Sequence, residues 1–116
     1  MDLDSIRNFC LSLAHATEDF PFGETTLVFR IGGKIFALTD IEALPLSISL
    51  KCDPQRAIEL RERYDEIRPG WHLNKKHWNT MDLSGALPES LIHELIKHSY
   101  NLVFDSLRKS DREKLV

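Results

Sequence analysis

With 116 residues, 42% of them hydrophobic and 28% charged, the chain has the make-up of one globular domain and not of a disordered or fibrous protein. No apolar stretch approaches the roughly 20 residues of a membrane span, and Cys10 and Cys52 stand alone and far apart, so that a disulfide between them is possible in principle but nothing in the spacing asks for it. The formal net charge of -3 excludes a generally basic surface, so any contact with nucleic acid must be local.

The start, Met1-Asp2-Leu3-Asp4-Ser5, is acidic and lacks the basic and apolar pattern of a secretion signal. A cytoplasmic setting with reduced thiols is therefore expected. Asp2 is placed to cap a first helix, whose stripe is Leu3, Ile6, Phe9 or Cys10, and Leu13. Glu18-Asp19-Phe20-Pro21-Phe22-Gly23 breaks that helix, and its two rings are expected to lid an edge of the core.

A hairpin follows. Thr26 to Ile31 and Lys34 to Thr39 are strand-like and flank Gly32-Gly33, which fits a two-residue turn. That register sets Phe29 opposite Phe36 and Leu27 opposite Leu38 on a core face. Val28 and Ala37, and Arg30 and Ile35, then share the other face. Leu46 to Cys52 alternates, with Leu46, Ile48, Leu50 and Cys52 pointing inward and Ser47, Ser49 and Lys51 facing water.

Asp53-Pro54 then opens a helix to about Tyr64, with Ala57, Leu60 and Tyr64 inside. His77 to Leu83 reads as a strand, and Tyr64 to Arg68 as a short partner for it. Pro88 to about Leu107 carries the strongest helical stripe. Ser110 and Glu113 fit a capping box for a last short turn. The order predicts one α+β domain over residues 1–116, an antiparallel sheet of about five strands with three main helices mostly on one face.

One segment reverses the sign of the molecule. Ile67 to Met81 holds both tryptophans, two histidines and three cations, Arg68, Lys75 and Lys76, with no acid. Lysines suit phosphates as point charges and arginine as a fork of donors. Trp71 or Trp78 can stack on an unpaired base. His72, Asn74 and His77 stand where bases or sugars would lie, and Lys51 can extend the patch from the polar strand face. A packed loop is the competing reading, with Trp78 in the core and His77 and Asn79 satisfying loop carbonyls.

Other chemistry is weakly signalled. His72 and His77 lack a third ligand at a recognisable spacing, so no metal is assigned. His93 and His98, five apart, share a helix face poorly. Cys52 precedes a helix N-terminus and follows Lys51, which favours thiolate, while its strand parity favours burial. No nucleophile turn or phosphate-cradling glycine loop is visible, and neither catalytic residues nor a cofactor are assigned.

The chain resembles the MmcQ/YjbR family of small bacterial proteins. The resemblance rests on Phe20-Pro21-Phe22-Gly23, Gly33-Lys34-Ile35-Phe36-Ala37, Ser49-Leu50-Lys51-Cys52, Ser99-Tyr100 and the run from Arg68 to Trp78, in which Asn74-Lys75-Lys76-His77-Trp78 is the most specific block. It implies an α+β fold like that of type III secretion chaperones and a DNA-binding role, with no catalytic residue set. The leading expectation is a non-enzymatic nucleic-acid-binding module, held to DNA mainly through phosphates. The alternatives are a protein-interaction module or a small-ligand binder with a pocket beneath the Pro69–Trp78 loop.

Overall fold

The structure, a computed structural model, describes residues 1–70 and 73–115. Helix α1, Leu3–Ser12, begins where the Asp2 carboxylate accepts the Ser5 N–H at 2.8 Å. It buries Ile6 and Cys10. Strands β1 (Thr17–Asp19), β2 (Thr26–Ile31), β3 (Lys34–Asp40) and β4 (Ser47–Lys51) follow. Helix α2, Pro54–Arg63, starts where Asp53 accepts the Arg56 N–H at 3.1 Å. After β5 (Ile67–Pro69) and β6 (Trp78–Asp82) come α3 (Glu89–Ser106) and α4 (Lys109–Glu113).

The strands form one antiparallel sheet in the order β1-β2-β3-β4-β6-β5. It has one strand more than expected. The addition is β1, which falls on the stretch read as a break and pairs Thr17 with Arg30 and Asp19 with Val28. Two acids make poor strand formers, but here each is tied: Arg7 holds Glu18 and Arg30 holds Asp19. Phe20 and Phe22, expected to lid the core, lie beyond β1 and are exposed.

The hairpin register also departs from the simple two-residue turn. Ile31 pairs with Lys34 and Arg30 with Ile35, but Phe29 then pairs with Ala37 and Val28 with Leu38. Phe36 is the extra residue of a bulge. A one-residue slip exchanges faces from that point on. Ala37 therefore joins Phe29 in the core, and Leu38 turns to the opposite face. The Phe36 ring stays inside, edge-on to Tyr100 with centroids 5.4 Å apart.

Helix α3 packs across β2, β3 and β4, and α2 against β5. Ile92, Leu95, Ile96, Ser99 and Val103 form the buried stripe of α3. The capping box of Ser110 and Glu113 does not form. The last helix starts at Lys109, which places Ser110 inside the first turn and makes Arg108 the N-cap, with no side-chain cap bond. Among the described residues no helix is long and apolar enough to cross a membrane.

Candidate functional site

The basic run is organised by hydrogen bonds that give two of its three exposed cations a partner. Gly70 lies against β6, and its N–H donates to the Trp78 carbonyl at 2.9 Å. Lys75 folds back so that its ammonium donates to the Gly70 carbonyl at 3.0 Å. Asn74 closes the turn: its side-chain oxygen accepts the Lys76 N–H, and its carbonyl accepts the N–H groups of His77 and Trp78. Arg68 is paired with Asp82 at 2.8 Å. Lys76 is exposed, and His77 is half-buried. Trp71 and His72, both candidates for contact with bases, lie outside the described residues.

Two residues that the sequence did not single out as a pair hold this loop to the domain. Asn79 is almost fully buried on the helix face of β6. Its amide donates to the Ala57 carbonyl of α2 at 3.3 Å and accepts from Arg61 Nε at 2.6 Å. The same guanidinium donates to the Lys75 carbonyl. Trp78, expected in the core, sits opposite Lys51 on the other face and is half-buried.

Gly70 is the tight point. A Cβ there would stand 2.8 Å from Trp78 Cβ, 3.1 Å from the Trp78 carbonyl oxygen and 3.2 Å from Leu73 Cβ. The neighbours include backbone, so relief requires separating the two strands. Gly70→Ala is expected to lose about 2 kcal/mol of stability, the scale of an overpacked site. Denaturant melts check this, and a loss under about 0.5 kcal/mol, the range of an ordinary surface change, would show that the loop yields freely.

His93, His98 and the two thiols have internal roles. His93 stacks on Phe9, with centroids 4.0 Å apart. His98 Nε2 accepts the Asp53 N–H at 3.2 Å, and burial, with help from Arg56, keeps its pKa below the ordinary histidine range. Burial pushes the Cys10 thiol up to about 12. For Cys52 burial also outweighs the nearby Arg56 and raises the thiol to about 11, so a thiolate is not favoured there. Among the described residues no three His, Cys, Asp or Glu side chains cluster as a metal site would require.

The face of the sheet away from α2 and α3 carries a cleft of about 560 Å³, within the roughly 300–1,000 Å³ of small-molecule sites. Its floor is one row across four strands: Leu38 on β3, Ser49 on β4, Thr80 on β6 and Arg68 on β5, each paired with the next. Ser49 and Thr80 share a hydrogen bond of 2.7 Å. Phe22, Ala43 and, from the basic run, Leu73 also line it. Asp40 and Ser47 lie in the neighbouring row. Phe22 is 66% exposed, so most of its surface is uncovered.

The YjbR family model matches residues 11–102. The chain belongs to the YjbR family. It is 38% identical to YbdF of Escherichia coli O157:H7 over 97% of this chain and 92% of that protein. It is 31% identical to YjbR of Escherichia coli K12 over 100% and 98%. Both relatives are described as uncharacterised. A crystal structure of a Deinococcus radiodurans protein superposes with a TM-score of 0.93 at 45% identity, covering 98% of this chain and 87% of that one. A Pseudomonas syringae crystal structure superposes at 0.78 and 28% identity, covering 89% and 99%. The YjbR-like α+β fold is thus shared along nearly the whole chain, and the function is left to the geometry.

In this YjbR-family chain the cleft joins Arg68, Leu73 and Thr80 of the basic run to residues outside it. Ser47 and Ser49 were legible as a polar strand face, and Thr80 follows once β6 is paired with β4. Leu38 reaches the cleft only because of the bulge at Phe36. Of the proposed phosphate-binding cations, Arg68 and Lys51 share the open face, Lys76 stands on the loop, and Lys75 is exposed with its ammonium on the Gly70 carbonyl.

Proposed function

We propose that this YjbR-family chain is a non-enzymatic binding module whose ligand site is the open-face cleft, and that the ligand is a small molecule. The observation that carries this reading is the cleft over the row of Leu38, Ser49, Thr80 and Arg68, which Phe22 and Leu73 also line. It combines an apolar body with a few convergent polar groups, the composition of small-ligand sites. Two buried, unpaired cysteines suit the reducing cytoplasm.

The test is a fragment screen read by amide chemical shifts. Hits should move Leu38, Ser49, Leu73 and Thr80 together, and Leu38→Trp, which fills the floor from a half-buried position, should abolish those shifts while the rest of the spectrum stays folded. Hits that map elsewhere, or that survive Leu38→Trp, would reject the cleft.

Nucleic acid on the same face is the second reading. It is favoured by Lys51 beside Trp78 and by Lys76, neither lysine having a carboxylate within ion-pair distance among the described residues. Contacts would be to phosphates, with weak sequence preference. Each lysine removed should lower the salt slope of DNA binding by about one. Affinity that ignores salt, or that survives Lys51→Ala with Lys76→Ala, would remove it.

A further inference from the structure

We infer that the cleft selects a small monocarboxylate with an apolar body, taken by the guanidinium of Arg68; this rests on the cleft being the ligand site. Arg68 is positioned, not loose: its Nη1 donates to Asp82 Oδ1 at 2.8 Å, while the Arg68 side chain stays 47% exposed. A guanidinium offers five N–H donors in a rigid fork. One of them accounts for Asp82, and the remaining edge has the spacing that receives a carboxylate through two parallel bonds.

The charge balance narrows the choice further. Arg68 is the one cation lining the cleft among the described residues, and Asp40 lines it too. Asp82 already offsets Arg68. A triphosphate or another polyanion would set several negative charges against a single cation that Asp82 already engages, beside Asp40. A single carboxylate asks for one fork of donors and adds one charge. The ring of Phe22 and the side chains of Leu38 and Leu73 then cover an aliphatic or aromatic body, and the Ser49–Thr80 hydroxyl pair crosses the space between. Neutral hydroxyls can serve a ligand's polar substituent without selecting its charge.

The experiment uses matched probes on the full chain: phenylacetate, indole-3-acetate and hexanoate, each beside its neutral amide, with phenyl phosphate as the dianion. Titration is followed by amide shifts and by the Arg68 Nε–H signal. The carboxylates should bind about tenfold tighter than their amides, the worth of one charge-assisted contact. They should move the Arg68 signal, and Arg68→Gln should bring each pair to equal affinity. Asp82→Asn, which frees the guanidinium without removing it, should tighten carboxylate binding and provides the readout if Arg68→Gln fails to fold.

Equal binding of acids and amides in the cleft overturns the carboxylate assignment and leaves the cleft itself standing. Tighter binding of phenyl phosphate overturns it as well. If neither acids nor amides move the cleft, and the wider fragment screen is also empty there, both this assignment and the cleft reading fall.

Discussion

Substituting Ser99 by Ala is expected to lower the free energy of unfolding by about 3 kcal/mol, because two backbone groups, one buried and one half-buried, lose their partner at once. Ser99 has no exposed surface. Its hydroxyl donates to the Phe36 carbonyl at 2.6 Å and accepts the Lys51 N–H at 2.9 Å. These groups lie where β3 and β4 stop pairing, since the ladder between them holds only Ala37 with Leu50 and Leu38 with Ser49. Phe36 is the bulge residue and has no opposite number on β2. The hydroxyl of α3 thus bridges a gap that the bulge opens in the sheet. The loss of one small oxygen leaves a void too small to matter much; the unsatisfied polar groups dominate. Denaturant melts give the magnitude, and hydrogen exchange gives the mechanism, since the Lys51 amide should lose protection in the variant. A loss below about 1 kcal/mol, the net worth of a single ordinary hydrogen bond, together with an unchanged Lys51 amide, would contradict the bridge.

Asn79→Ala should cost a similar amount, about 3 kcal/mol, for a different reason. A hydrogen bond to a charged partner is worth about 1.5–3 kcal/mol, and the Asn79 carbonyl oxygen receives one from Arg61. The amide N–H bond to Ala57 is lost as well. Arg61 is only partly buried, so water can reclaim part of its guanidinium, and this keeps the cost from rising further. Arg61→Ala alone should be milder, at about 1–2 kcal/mol by the same scale. The double variant should lose less than the two single losses added, with a coupling of about 1 kcal/mol or more, because the side chains touch. Strict additivity would mean that the contact does not contribute. Loosening should extend to the Lys75 carbonyl, which Arg61 also holds, so exchange across residues 74–78 is a second check.

What could be read from the sequence was what depends on near neighbours. Asp2 and Asp53-Pro54 set their helix starts because a cap and its target N–H lie three residues apart. The alternation of Ser47 to Lys51 was equally plain, since period two is local, and its buried positions are Ile48 and Leu50. The bulge was not legible because the Phe36 carbonyl is satisfied by a hydroxyl 63 residues away. The strand at Thr17–Asp19 was missed because two acids argue against it, and only the edge of β2 and two arginines make it possible. The basic run was visible as composition, but where its charge ends up was not. Asp82 and the Gly70 carbonyl take up Arg68 and Lys75 in space, and no charge count along the chain gives that.

The sheet also ends in a way that constrains how another macromolecule could join it. Its two outermost strands are three residues each, Thr17–Asp19 and Ile67–Pro69. Along the first, the side chains of Glu18 and Asp19 are clamped by arginines; the second finishes in a proline, which has no N–H to offer. Short, charged and proline-bearing margins are how natural sheets refuse lateral extension. A peptide seeking to add itself as a seventh strand would find little main chain to pair with. Copies of this chain should accordingly resist stacking into ribbons through the rim of the sheet.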